Sequence, residues 1–162
     1  MKNIIKFCFT MLLGLLLACN SNPNQTKQSQ TKSKSSEQKV DSSKVMHNQE
    51  RYKAKTGVGP IKDKVELDSQ IDEELALRGK ELYNNACASC HRIKEKSVGP
   101  GLGGVLQKRS PQWVMNMILN PREMKRENVQ AQAMDAEYDA DMVNTNLTED
   151  EARAIVEYLR TY

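Results

Sequence analysis

The chain is predicted to be all-α, on three observations. No segment alternates apolar and polar residues between hairpin turn signals, as a half-buried strand would. Two stretches instead repeat apolar residues close to a 3.6-residue period: Leu75, Gly79, Leu82 and Tyr83, and later Ala152, Ile155, Val156 and Leu159. Two helix starts are also written out, Ser110-Pro111 and Thr148-Glu149-Asp150-Glu151, the second of them a capping box.

Read from the N-terminus, the 162 residues divide into a leader, a tether and one domain. Residues 1–18 have a basic start (Lys2, Lys6) and an apolar run over 7–18 that is too short to span a bilayer, which is the pattern of a secretory signal. The run ends in Leu16-Leu17-Ala18-Cys19, which resembles a bacterial lipobox. That resemblance implies lipidation at Cys19 and an exported protein held by lipid to a membrane, facing the periplasm. Residues 19–56 are nearly all Ser, Gln, Lys, Asn and Thr, too polar to offset the entropy of ordering, and are expected to form a disordered tether. Residues 57–70 change character. Val58, Ile61, Val65 and Leu67 stand beside a Gly-x-Gly-Pro turn signal, so this piece is expected to be an ordered lead-in lying on the domain.

The domain proper is expected over 71–162. Its first helix covers 72–85, with acids in the first turn. Ser110 caps a second helix that has Pro111 at its first position, runs through Trp113, Met117 and Ile118, and stops at Pro121. A weaker helix is expected over 128–138, and the last begins at Thr148. The domain contains no phenylalanine, since Phe7 and Phe9 belong to the leader. Its aromatic stock is Trp113, Tyr83, Tyr138, Tyr158 and Tyr162. So small a core calls for a staple or a cofactor.

The stretch "NNACASCHRI" offers one. With Cys8 in the leader and Cys19 at the lipobox, Cys87 and Cys90 are the thiols left to the domain. An oxidising compartment permits a disulfide between them. A redox dithiol of the thioredoxin kind would sit in a βαβ unit, and none is predicted. A structural zinc site needs four ligands, yet the other histidine, His47, lies in the tether and there is no second Cys pair. Covalent haem uses all three residues. Two thiols on one helical turn add to the porphyrin vinyl groups, and the adjacent His91 serves as the proximal iron ligand.

On these residues the chain resembles the class I, mono-haem cytochromes c over 72–162. The matches are Gly79 and Tyr83 before the attachment site, Gly99-Pro100 after the haem histidine, and Tyr158-Leu159 in the last helix. The resemblance implies a bundle of about four to five helices wrapped around one haem c, with the first and last helices crossing. It also implies that the Pro100 carbonyl accepts a hydrogen bond from the ligand imidazole. A methionine from a loop before the last helix would be the sixth ligand. Of Met115, Met117, Met124, Met134 and Met142, the favoured one is Met142, in the irregular stretch "DADMVNTNLTEDE", with Met134 next. The proline usual after that methionine is here Val143. Trp113 stands where related proteins place an indole N–H near a haem propionate, or is a large core residue. Lys108 and Arg109 are either propionate partners or solvated.

His/Met ligation raises the haem potential and leaves no open iron position. The expected function is therefore a membrane-tethered one-electron carrier and not an enzyme. The alternative is a five-coordinate haem protein acting as a gas sensor or a peroxidase-like enzyme. The blocks "GVGPIKDKVEL", "SPQWVMNMILNPREM" and "NTNLTEDEARAIVEYLR" are similar to mono-haem lipoprotein cytochromes that accompany nitrous-oxide reductase, with a terminal oxidase as another recipient. The chain is expected to be monomeric, without a nucleic-acid partner. Residues 71–162 hold 12 Lys/Arg and 15 Asp/Glu, whereas 20–70 hold 10 and 6, so the net positive charge sits outside the haem domain. Arg92, Lys94 and Lys96, and the oppositely charged run Asp135, Glu137, Asp139 and Asp141, are expected to flank the haem edge and steer a redox partner.

Overall fold

The structure, a computed structural model, describes residues 42–162, so the expected leader, Cys19 and the tether up to residue 41 lie outside the described residues. Helix α1 (Ser42–Thr56) falls where the disordered tether was expected to continue. For these residues that expectation is corrected. Their composition is polar and most of their side chains are exposed, but the last turn is held by partners distant in sequence. Its carbonyls accept hydrogen bonds from Asn128 Nδ2 (at Lys53, 2.6 Å), Ser110 Oγ (at Lys55, 2.7 Å) and Asn116 Nδ2 (at Thr56, 3.1 Å). A helix C-terminus leaves its last carbonyls without intrahelical partners; here the domain supplies them for Lys55 and Thr56, and adds a second donor at Lys53, which also takes the Gly57 N–H at 2.8 Å.

The lead-in then runs over the domain without regular structure. Val58, Ile61, Val65 and Leu67 pack against the core. Asn116, fully buried, binds Ile61 at both its N–H and its carbonyl, each at 3.0 Å. Gly59 sits so tightly on Asn116 that a Cβ there would lie 2.4 Å from Oδ1.

Helix α2 (Glu73–Ala86) starts at Asp72, whose carboxylate accepts from the Leu75 N–H at 2.9 Å. It is followed by the one-turn α3 (Val105–Lys108) and by α4 (Pro111–Leu119), capped by Ser110 on the Trp113 N–H. Pro121 ends α4, as expected, but also takes the first position of α5 (Pro121–Glu127), where its missing N–H costs nothing. Then come α6 (Val129–Asp135), with Asn128 as N-cap, and α7 (Glu149–Leu159), which opens on the Thr148/Glu151 capping box. There is no strand among the described residues, so the fold is all-α as read from the sequence. The short α3 and α5 were not foreseen, because neither is long enough to show a period.

The most extensive packing is α2 on α7, the crossing of first and last domain helices. Gly79 makes it possible: a Cβ at that position would stand 1.9 Å from the Ala154 carbonyl oxygen. Tyr83 and Tyr158 meet beside it with ring centroids 5.3 Å apart. On α7 the carboxylate of Glu157 is 1% exposed and fully engaged. It accepts from the Asp72 N–H at 2.9 Å, from Arg153 at 2.5 Å, and from Arg160, which also donates to the carbonyls of Asp68 and Gln70. Burial pushes this carboxyl up, but the Arg153 and Asp72 hydrogen bonds and the two guanidinium charges outweigh it. The result lies below the ordinary 4.5.

A depressed folded value means stability that is present above pH 4.5 and lost as pH falls through the folded value. Acid titration of the thermal midpoint from about pH 7 to about pH 3 is expected to show this loss, with Glu157→Gln flattening the acid limb. An acid limb as steep in the variant as in the wild type would assign it to other carboxylates.

Candidate functional site

Helix α2 delivers both thiols. Its end is a tight turn in which the Cys90 N–H (3.1 Å) and the His91 N–H (2.9 Å) both donate to the Cys87 carbonyl, so the three residues share one turn. Cys87 is buried and Cys90 exposed, and both are free thiols. Burial, with a smaller push from Cys90, raises the Cys87 thiol to about 11, so it stays protonated at neutral pH. No group of three or more His, Cys, Asp or Glu that could hold a metal ion occurs among the described residues, which leaves the zinc reading without ligands.

His91 is oriented by the loop on its C-terminal side. Its Nδ1 donates to the Pro100 carbonyl at 2.9 Å. A carbonyl is only an acceptor, so Nδ1 carries a proton and Nε2 is the ring nitrogen left to bind a metal. Gly99 forms the wall behind the ring: a Cβ there would meet Cε1 at 2.5 Å and Nδ1 at 2.9 Å. The loop that carries both is folded back by the Gly99 N–H on the Cys90 carbonyl (2.9 Å), Leu102 on Arg92 (2.9 Å) and Gly103 on Ile93 (2.7 Å). Tyr83 adds a bond from its hydroxyl to the His91 carbonyl, 2.8 Å. That last link ties the α2–α7 contact to the site and gives Tyr83, matched in the sequence as the aromatic before the attachment site, a hydrogen bond there.

The methionines separate by environment. Met124 is fully buried and its sulfur accepts the Val58 N–H at 3.0 Å, so it belongs to the lead-in contact. Met115 is core and Met117 lies against it on α4. Met134 is on α6 and packs against the core. Met142 lies in the non-helical stretch between α6 and α7, half-buried. In that stretch Asn146 is left-handed (φ 55°), and the hydroxyl of Thr145 is buried with no hydrogen-bond partner. An orphaned buried hydroxyl costs about 1–3 kcal/mol unless a bound group or water satisfies it.

Of the two readings of Trp113, the structure favours the large core residue: the ring is 2% exposed in the core, and its indole N–H donates to Asn128 Oδ1 at 3.2 Å. The same oxygen caps α6 through the N–H groups of Gln130 and Ala131. Asn128 was missed because a buried asparagine has no sequence signature. Arg109 stacks over the indole at 5.2 Å, and the Lys108 carbonyl accepts from its guanidinium. The two charged runs also turn out to be neighbours, since Lys96 pairs with Glu137 at 3.5 Å, while Arg92 donates to the Ala88 carbonyl.

A lone-pair imidazole nitrogen, two thiols on the preceding turn, a glycine wall and an orphaned hydroxyl fit a covalently held haem, so the fold and site define a small all-α haem protein. The family model for cytochrome c matches residues 76–162, and the chain belongs to the cytochrome c family. Among solved structures it is similar to a cytochrome c from Rhodothermus marinus, 39% identical, with a TM-score of 0.64 over 67% of this chain and 93% of that one. It is also similar to an engineered cytochrome c from Rhodothermus marinus (38%, TM-score 0.64, 67% and 94%) and to an engineered form bound to a carbene intermediate (39%, TM-score 0.61, 67% and 94%). Comparison with curated proteins gives no match. As a member of this family the chain holds one c-type haem through Cys87 and Cys90 and is a haem-based electron carrier.

Proposed function

We propose that the protein is a periplasm-facing, membrane-tethered carrier of single electrons, anchored by lipid on Cys19, with its haem iron held by His91 and Met142. When bound, the haem supplies the one-electron step between ferric and ferrous iron. The chain's own residues do the rest. Cys87 and Cys90 hold the macrocycle, Pro100 fixes the imidazole tautomer, and Gly99 holds the ring plane. The observation that carries the reading is the Nδ1–H bond from His91 to Pro100, which fixes the ring and leaves Nε2 as the nitrogen available to iron. Met142 is favoured because the sulfur of Met124 is engaged and the other three methionines are helical and packed on the core. Filling both axial positions favours electron transfer over catalysis. Redox proteins, of which nitrous-oxide reductase and a terminal oxidase are the candidates, would exchange electrons with it.

The test is the optical spectrum and midpoint potential of the purified holoprotein. His91→Ala is expected to abolish the low-spin spectrum. Met142→Ala should keep the haem attached, lose the long-wavelength Met–iron band, and lower the potential by on the order of 100 mV, a fraction of the roughly 0.8 V that axial ligands span. If Met134→Ala gives that phenotype and Met142→Ala does not, the ligand is Met134. A high-spin ferric wild type would support the five-coordinate alternative instead.

A further inference from the structure

Residues 136–148 link α6 to α7 without a helix of their own, and no proline stiffens the chain after Met142. Two lysines from other parts of the domain grip this stretch. Lys125, on α5, places Nζ 2.8 Å from Asp135 Oδ1 and also bonds Asp141 Oδ1. Asp135 directly follows Met134, and Asp141 directly precedes Met142. One ammonium group therefore ties together the neighbours of both candidate ligands. Lys96, in the loop after His91, reaches the same stretch from the other side. Its Nζ lies 3.5 Å from Glu137 Oε1, 3.4 Å from the Glu137 carbonyl, and 4.1 Å from the Tyr138 ring centroid. The loop that carries the proximal histidine and the stretch that carries the methionine are thus joined by one side chain.

We propose that Lys125 and Lys96 are positioning residues for the sixth iron ligand, holding residues 135–142 in the conformation that presents the methionine. This rests on the His/Met reading above. An isolated exposed ion pair contributes little. Here two carboxylates share one cation across a short loop, so the contacts act on how freely that loop can swing away. Because the groups are solvent-accessible, added salt screens them, with a Debye length of about 10 Å at 0.1 M. Ionic strength should therefore loosen the ligand.

The experiment titrates the ferric holoprotein with imidazole, which competes with the thioether for iron, and follows loss of the Met–iron band. At low salt Lys125→Met is expected to bind imidazole roughly three- to fivefold more tightly than wild type, with Lys96→Met shifted in the same direction. Lys125→Arg, which keeps the charge, should stay within about twofold of wild type. Lys64→Met, which removes a remote pair to Glu66, should match wild type. Raising salt should strengthen imidazole binding by wild type, and do so less in Lys125→Met, which keeps only the Lys96 pair. Equal low-salt affinities for wild type and Lys125→Met, or no salt dependence in wild type, would overturn the proposal, and the salt series on the unmodified protein needs no variant to fold. If wild type shows no Met–iron band, or if neither Met142→Ala nor Met134→Ala removes it, the ligand reading itself fails and this inference with it. If one of them does, yet the lysine variants and salt have no effect, the positioning role alone is wrong.

Discussion

With alanine at both Cys87 and Cys90, the chain is expected to lose haem and with it a cooperative fold. The domain has about 90 residues and little aromatic surface to bury, a size at which a core alone is marginal. The loop from His91 to Gly104 has no helix of its own and is held by a few backbone hydrogen bonds and the His91–Pro100 contact. Covalent attachment binds that loop and α2 to one rigid group, so removing it should free both. Near-UV circular dichroism should be lost at 25 °C while part of the helical far-UV signal survives, the signature of a chain without fixed packing. A sharp thermal transition with full helicity in the haem-free variant would show that the protein core suffices.

Gly79→Ala is expected to be the most damaging single methyl group that can be added to α2. The new carbon would lie 1.9 Å from the Ala154 carbonyl oxygen and 3.0 Å from Tyr158 Cβ. The first of these is backbone, which cannot swing aside, so α2 and α7 must separate. Overpacking of this kind costs about 3 kcal/mol, or roughly 10–20 °C of thermal midpoint in a domain this small. The control is Leu77→Ala on the same helix, 65% exposed, which should change stability by less than about 0.5 kcal/mol. Should the two variants melt together, the crossing is not as close as the Gly79–Ala154 contact indicates.

Separating the helices would reach the haem site through Tyr83. Its ring packs on Tyr158 of α7 and its hydroxyl holds the His91 carbonyl. Gly79→Ala should therefore also perturb the absorption spectrum of the bound haem, whereas Leu77→Ala should not.

Much of this was legible in the residues themselves. The capping box at Thr148, the Ser110-Pro111 start and the apolar period of α2 and α7 depend on hydrogen bonds and side-chain spacings within a few residues, so they are written locally. The haem attachment residues are likewise a local pattern, since two thiols and an imidazole must share one turn. What the tertiary structure alone decided is how distant pieces satisfy each other. Residues 42–56 look too polar to fold, yet α1 forms where Asn128, Ser110 and Asn116 accommodate its terminal carbonyls. The same Asn128 takes the indole N–H of Trp113, a residue that the sequence leaves open between a propionate contact and the core. Neighbouring charges add a similar case: Lys96 and Glu137 belong to two oppositely charged runs, and only the fold brings the two side chains together as a pair. In each case the deciding partner lies tens of residues away, and a buried polar group takes whichever partner the packing brings within reach.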